Sequence, residues 1–268
     1  MPTDRELLEL AVRLARQAGE LVRSGRSRAG DQVDVKSSPT DVVTAMDRAS
    51  EQLLVAELTR LRPSDGILGE EGAAHTGTTG VRWVLDPIDG TVNYLYGLPW
   101  YAVSVAAEVD GSVVAGVVYQ PESRELFRAV RGEGAWLGDT RLRCTPGPIL
   151  GQALVSTGFG YDAVRRADQA VVAAGLLPQV RDLRRLGSAA LDLCQLAAGR
   201  VDAHYEAGLS YWDYAAGALI ASEAGAVVDW LAGTPPAADC LVAAGPELHP
   251  ALCAVLTGLR AQVKGTRA

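Results

Sequence analysis

Six consecutive residues, Asp86-Pro87-Ile88-Asp89-Gly90-Thr91, put two carboxylates, a proline, a glycine and a hydroxyl into one short stretch. They directly follow Val81-Arg82-Trp83-Val84-Leu85, an apolar run that reads as a buried strand. A strand that ends in paired acids and a Gly-Thr turn suits a hard metal ion and a phosphate. The acids supply oxygen ligands, while backbone N–H groups and the Thr hydroxyl face the anion. The most economical reading is a Mg²⁺-dependent phosphatase. Hydrolysing a phosphate monoester needs a nucleophile delivered in line and charge neutralised on the transferred oxygens, and paired metal ions supply both. Mg²⁺ prefers an octahedral oxygen shell, so several carboxylates from different segments must converge.

Three further segments offer such acids. Glu70 and Glu71 follow the short apolar run Ile67-Leu68-Gly69, Asp47 sits early in a second helix, and Asp213 stands at the start of a helix that begins at Trp212. Taken singly, each also suits a solvated loop or a first-turn acid favoured by the helix dipole. The three histidines are scattered without H-E-x-x-H spacing, so no zinc site is expected. The four cysteines form no C-x-x-C and are expected to be reduced, buried thiols.

The elements that must hold these acids follow from periodicity. Thr3 and Glu6 form a capping-box pattern, and Leu7, Leu10, Ala11, Leu14, Ala18, Leu21 and Val22 recur at helical spacing up to Gly25. Ser27 to Pro39 reads as a loop. A second helix is expected from Thr44 to Leu61, its apolar side carrying Met46, Ala49, Leu53, Ala56 and Leu61. Gly72 to Gly80 reads as a loop. Strands are expected at Tyr101–Glu108 and Ser112–Tyr119 around an Asp110-Gly111 turn, and at Glu125–Val130. Beyond a Pro/Gly-rich stretch at Cys144–Pro148, strands and helices alternate to the end, which implies a layered α/β or α+β sandwich. The chain has 268 residues and a formal net charge of −7, a poor match to broad nucleic-acid or membrane-surface binding. It shows neither a signal peptide nor an apolar span, so a cytoplasmic protein is expected.

The assembled pattern resembles the inositol monophosphatase family of metal-dependent phosphatases. The motif Asp-Pro-Ile-Asp-Gly-Thr-x-Asn stands as Asp86 to Asn93, and Trp-Asp-x-Ala-Ala-Gly as Trp212 to Gly217. Gly69-Glu70-Glu71, the set Lys36, Asp41, Val43, Thr44 and Asp47, and Arg185-Leu186-Gly187-Ser188-Ala189-Ala190 add to the likeness. The resemblance implies an α+β fold, a layered αβαβα sandwich of the inositol monophosphatase/fructose-1,6-bisphosphatase type. It further implies one catalytic unit over 1–268, with approximate halves at 1–145 and 146–268, usually a homodimer, and two or three Mg²⁺ ions with lithium sensitivity. Carried over by residue, Glu70, Asp86 and the carbonyl of Ile88 match one metal site, and Asp86, Asp89 and Asp213 a second. Glu70 and Asp213 match a third, weaker one. Glu70 and Thr91, with Asp47 orienting Thr91, match the pair that activates water. Gly90 and Thr91 match the phosphate cradle beside Asp89 and Asp213. Gly187, Ser188, Ala189 and Glu206 match positions beside the substrate, with Glu206 on its hydroxyls. The implied activity is inositol-1-monophosphatase. Alternatives on the scaffold are histidinol-phosphate, fructose-1,6-bisphosphate, 3′-nucleotide or secondary-metabolite phosphatases, or a regulatory binding protein. Ser210 and Tyr211 depart from the family pattern near the leaving-group pocket. Trp100 and Tyr101 are expected in the core or a dimer contact.

Overall fold

A computed structural model describes residues 2–26, 33–35, 42–231 and 240–265. Lys36 and Asp41 lie outside these residues. Helix α1 (Asp4–Gly25) starts at the capping box of Thr3 and Glu6, and Leu7, Leu10, Ala11, Leu14, Ala18 and Val22 are buried along one stripe. Strands β1 (Val33–Val35) and β2 (Val42–Thr44) form an antiparallel pair, so part of the stretch read as loop is strand. Helix α2 (Ala45–Leu61) opens on a second capping box, Thr44 with Asp47. Its buried face is not the apolar stripe expected. Asp47, Ser50, Glu51, Leu54 and Leu58 point inward, while Leu61 is exposed. Polar residues take the inner face because each finds a hydrogen-bond partner there, which offsets the cost of burying it.

There follow β3 (Gly66–Gly69), β4 (Ala74–His75), β5 (Val81–Asp89), α3 (Thr91–Leu95), β6 (Ala102–Val109), β7 (Ser112–Gln120), β8 (Glu125–Val130), β9 (Gly134–Leu137) and β10 (Thr140–Arg141). These strands make one sheet in the order β10-β9-β8-β7-β6-β5-β3-β4, antiparallel except for β3 beside β5. The second half supplies β11 (Leu154–Thr157), α4 (Ala163–Leu176), β12 (Asp182–Arg184), α5 (Ala189–Ala197), β13 (Ala203–Ala207), α6 (Tyr211–Glu223), β14 (Val227–Trp230), β15 (Cys240–Ala244) and α7 (His249–Gly265). Its sheet runs β12-β11-β13-β15-β14. Strands β4, β9, β10 and β12 carry too few residues for a period to register in the sequence.

Alternation along the strands assigns the layers. Trp83, Leu85, Val103, Val105 and Val117 face α1 and α2, while Val84, Ala106, Val118 and Phe127 face α5 and α6. The outer sides of those helices, with Leu193, Leu196 and Ala221, meet Val201, Leu241 and Ala243 of the smaller sheet. The far face of that sheet carries Val155, Ala203 and Val242 against Leu176, Leu252 and Leu256 of α4 and α7. The order is helix, sheet, helix, sheet, helix: a five-layered αβαβα sandwich of α+β class. Tyr101 belongs to the core, edge-on to Tyr94, while Trp100 is only half-buried. The four cysteines make no disulfide among the described residues. Cys194 and Cys240 are buried as expected, whereas Cys144 and Cys253 are only half-buried.

Candidate active site

Strand β5 does not stop at Leu85. It runs on through Asp89, and its pairing with β6 slips between Asp86, opposite Ser104, and Asp89, opposite Ala102. Three steps on β5 therefore match two on β6, which is a β-bulge at Pro87-Ile88. Pro87 has no N–H to offer a ladder, so a bulge is where a strand tolerates it. The slip has a geometric consequence. Residues three apart on a regular strand face opposite sides, yet Ser104 and Ala102 are two apart and share one side. Cross-strand partners share a face, so the bulge turns Asp86 and Asp89 to the same side, the one facing α5 and α6.

Helix N-termini meet that side. Asp89 accepts hydrogen bonds from Ser188 Oγ at 2.6 Å and from the Ala190 N–H at 2.7 Å, at the start of α5. Asp213 is the third residue of α6 and closes a capping box by accepting from the Ser210 N–H at 2.6 Å. The small residues Ala215 and Ala216 let α6 press onto the larger sheet, where a Cβ on Gly116 would come within 3.0 Å of Ala216, while Gly217 lets it press onto α5 at Leu193. Gly90 follows the bulge with φ 97°, a left-handed conformation that favours glycine, and α3 starts after it. Thr91 Oγ1 lies 3.0 Å from Asp47 Oδ1 and 3.0 Å from the Ile88 carbonyl. Asp47 Oδ2 accepts from the Thr44 N–H at 2.7 Å and the Thr44 hydroxyl at 2.5 Å.

Glu70, Asp86, Ile88, Asp89, Gly90, Thr91, Gly187, Ser188, Ala189, Glu206 and Asp213 all line one cleft of about 480 Å³. Asp47 does not line it; fully buried, it stands behind Thr91. The acids press on one another. Burial, then the charges of Glu70, Asp89 and Asp213, pushes Asp86 well above the usual carboxylate range. Burial, then Asp89 and Glu70, does the same to Asp213. Burial raises Asp89 to about 6 against its hydrogen bonds from Ser188 and the α5 N–H groups. It raises Asp47 to about 6 against those from Thr44 and Thr91. Glu206, on β13, is pushed by burial and then by Asp89 to about 8. Hard oxygen donors from four segments, mutually repelling at one spot, fit a divalent cation. Among the described residues no three of these side chains are yet close enough to grip one ion, and Asp86 instead shares a hydrogen bond with Glu70. A shared proton relieves the same repulsion that a cation relieves.

Several residues act at the site in ways the motifs do not spell out. Arg165 and Arg185 bring two guanidiniums into the acidic cleft. Arg185 stands in the Arg-Leu-Gly-Ser stretch, where the resemblance implies roles only from Gly187 onward. Asn93 Nδ2 donates to the carbonyls of Trp100 and Leu186, each at 2.8 Å, and so ties the turn after β5 to the loop before α5. Tyr211 does not reach the cleft. Its hydroxyl donates to Glu108 at 2.7 Å and Arg82 lies over its ring, so its neighbours Leu209, Ser210, Trp212 and Asp213 line the pocket and Tyr211 does not.

Glu51 is the largest omission. Only 6% exposed, its carboxylate accepts from the Glu71 N–H at 2.9 Å and the Ala73 N–H at 3.0 Å, and it packs on Gly69, shaping the turn that presents Glu70. Glu51→Ala leaves those N–H groups without this acceptor. Hydrogen bonds to a charged group contribute about 1.5–3 kcal/mol each, so the melting temperature should fall by several degrees. The value of kcat/KM should fall by about tenfold, the loss expected from about 1.4 kcal/mol of misplacement at Glu70. A thermal melt beside a phosphate-release assay checks both, and wild-type values in both would refute the role.

The profile of the inositol monophosphatase family matches residues 3–260. The chain belongs to the inositol monophosphatase family. It is 50% identical over 271 residues to the inositol-1-monophosphatase SuhB of Mycobacterium tuberculosis, covering 93% of each chain. The Nus factor SuhB of Pasteurella multocida is 43% identical over 83% of this chain and 84% of its own. The solved structure of Mycobacterium tuberculosis SuhB superposes with a TM-score of 0.83 at 45% identity, covering 97% of this chain and 98% of that one. As a member of the inositol monophosphatase family, the protein is a metal-dependent phosphomonoesterase that acts on phosphorylated substrates. No helix among the described residues is long and apolar enough to cross a membrane.

Proposed function

We propose that the protein is a Mg²⁺-dependent hydrolase of small phosphorylated polyols, with inositol 1-phosphate its foremost substrate. The observation that carries this reading is the bulge in β5, which turns Asp86 and Asp89 into a cleft that Glu70, Glu206 and Asp213 also line. Glu70, Asp86 and the Ile88 carbonyl would hold one Mg²⁺, and Asp86, Asp89 and Asp213 a second. Glu70 and Asp213 would share a weaker third. Bound ions would neutralise charge on the phosphoryl group and acidify the attacking water.

The chain's own groups do the rest. Thr91 can direct its single hydroxyl proton to Asp47, which leaves oxygen lone pairs to accept from water. Glu70 orients the same water, so no histidine base is required. The Gly90 and Thr91 backbone cradles the phosphate. Gly187, Ser188 and Ala189 wall the alcohol side, and Glu206 accepts from its hydroxyls. The site draws on both halves of the chain, which supports one catalytic unit over 1–268. Tyr96 and Leu98, 77% and 51% exposed after α3, suit burial in a homodimer. Lithium sensitivity and a cytoplasmic setting complete the proposal.

Phosphate release should be measured on inositol 1-phosphate, histidinol phosphate, fructose 1,6-bisphosphate and a 3′-nucleotide, with Mg²⁺, with Mg²⁺ plus Li⁺, and with EDTA. Inositol 1-phosphate should give the highest kcat/KM, and only with Mg²⁺ free of Li⁺. A higher kcat/KM on another ester would replace the substrate, and turnover in EDTA would remove the metal.

A further inference from the structure

Behind Glu206 lies a buried polar row that the proposed reaction does not use. His204 and Glu206 are two apart on β13 and so share a face, the side against α5. His204 is fully buried. Its Nδ1 lies 3.0 Å from Ser156 Oγ on β11, and its Nε2 has no hydrogen-bond partner among the described residues. Glu206 Oε2 lies 3.7 Å from Nε2. Asp192 of α5, 1% exposed with both carboxyl oxygens lacking a hydrogen-bond partner among the described residues, stands 4.0 Å from Nδ1 on the opposite edge.

The ring's tautomer depends on Ser156. Its one hydroxyl hydrogen can go to the Ala203 carbonyl at 3.4 Å or to Nδ1 at 3.0 Å. Given to Nδ1, the shorter contact, it leaves the ring hydrogen on Nε2, facing Glu206. Glu206 also packs on Gly158. A Cβ on Gly158 would come within 2.2 Å of its carboxylate, so the Gly158 backbone limits where that carboxylate can move. Burial keeps the ring neutral, consistent with a donor rather than a charge.

We propose that His204, its tautomer set by Ser156, is a positioning residue that orients the Glu206 carboxylate through Nε2–H and thereby sets the preference for hydroxyl-rich alcohols. Contacts of this kind are often long in the free enzyme and close when substrate binds. The inner oxygen takes the imidazole hydrogen, which leaves the outer oxygen to accept from the substrate. This inference rests on the reading of Glu206 as the acceptor of substrate hydroxyls.

The test uses the full chain with Mg²⁺ and two esters, inositol 1-phosphate and phenyl phosphate, whose alcohol has no hydroxyl beyond the ester oxygen. The readout is the ratio of their kcat/KM values. Glu206→Ala should lower that ratio by about tenfold or more, the loss expected for a hydrogen bond to a charged group. His204→Phe and Ser156→Ala should lower it by about three- to tenfold, mainly through KM for inositol 1-phosphate. His204→Gln, which keeps an N–H at similar reach, should restore most of it. His204→Phe added to Glu206→Ala should lower the ratio no further. If Glu206→Ala shifts the ratio while Ser156→Ala and His204→Gln leave it at the wild-type and His204→Phe values respectively, the inference fails and the site reading stands. Equal losses on both esters, additive with Glu206→Ala, would assign His204 a packing role and overturn the proposal. A ratio unmoved by Glu206→Ala overturns the reading of Glu206 itself. Should His204→Phe fail to fold, Ser156→Ala and His204→Gln decide.

Discussion

Asp86→Asn should give a folded protein whose Mg²⁺-dependent phosphate release is reduced by about 10²–10³-fold or more, the scale at which one preorganised electrostatic contact acts. Asparagine is nearly isosteric and keeps an oxygen that can accept from the Ile88 N–H, now 3.1 Å from Asp86 Oδ1. The bulge should therefore persist. What disappears is the negative charge proposed to bridge two ions. Asp86 is 2% exposed and strained by the charges of Glu70, Asp89 and Asp213, so a neutral side chain relieves repulsion in the ion-free protein. Melting in EDTA should stay at the wild-type temperature or rise, while Mg²⁺ should raise it less than in the wild type. Turnover within tenfold of wild type would sink the bridging assignment, and a collapsed melt would show that Asp86 serves the fold instead.

The second large effect couples pH to the cation. In the ion-free protein Asp47 and Asp89 titrate at about 6 and Glu206 at about 8, and Asp86 and Asp213 are also raised. Unfolded carboxyls titrate at about 3.9–4.3. Between roughly pH 4 and pH 8 these acids bind more protons in the folded chain than in the unfolded one, so their contribution lowers stability as pH rises through that window, opposed below about pH 6.5 by the single buried neutral His204. A divalent ion binds the ionised carboxylates, so its stabilising effect should grow over the same window. At about a hundred times the dissociation constant it adds about 2.7 kcal/mol, or roughly 5–10 °C in melting temperature for a chain of this size. Melts from pH 5 to pH 8, in EDTA and in excess Mg²⁺, should diverge as pH rises. Parallel curves would mean that these acids do not hold the ion.

Much of this is legible in the sequence. Strong helical periods located α1, and the Asp110-Gly111 turn located β6 and β7, because short-range geometry follows directly from residue pattern. Local composition failed where burial of polar groups decided the outcome. The inner face of α2 is chosen by Asp47, Ser50 and Glu51, whose partners Thr91, Pro87 and Glu71 come from residues 20 to 44 positions away. The family resemblance places Tyr211 near the leaving-group pocket, yet the first turn of α6 points it to Glu108. Adjacent helical residues face different directions.

By itself the sequence determined the chemical inventory: which acids, which hydroxyl and which glycine are present, and the motif order that places the chain in its family. It could not determine that Asp86 and Asp89 face the same way, since three residues on an even strand would oppose them. That was decided by pairing with β6, whose register absorbs one extra residue at Pro87-Ile88. Tertiary packing likewise decided that Asp213, Glu70 and Glu206, on other elements, meet them in one cleft. Register and layer packing depend on partners far along the chain, and these turn a list of acids into a site.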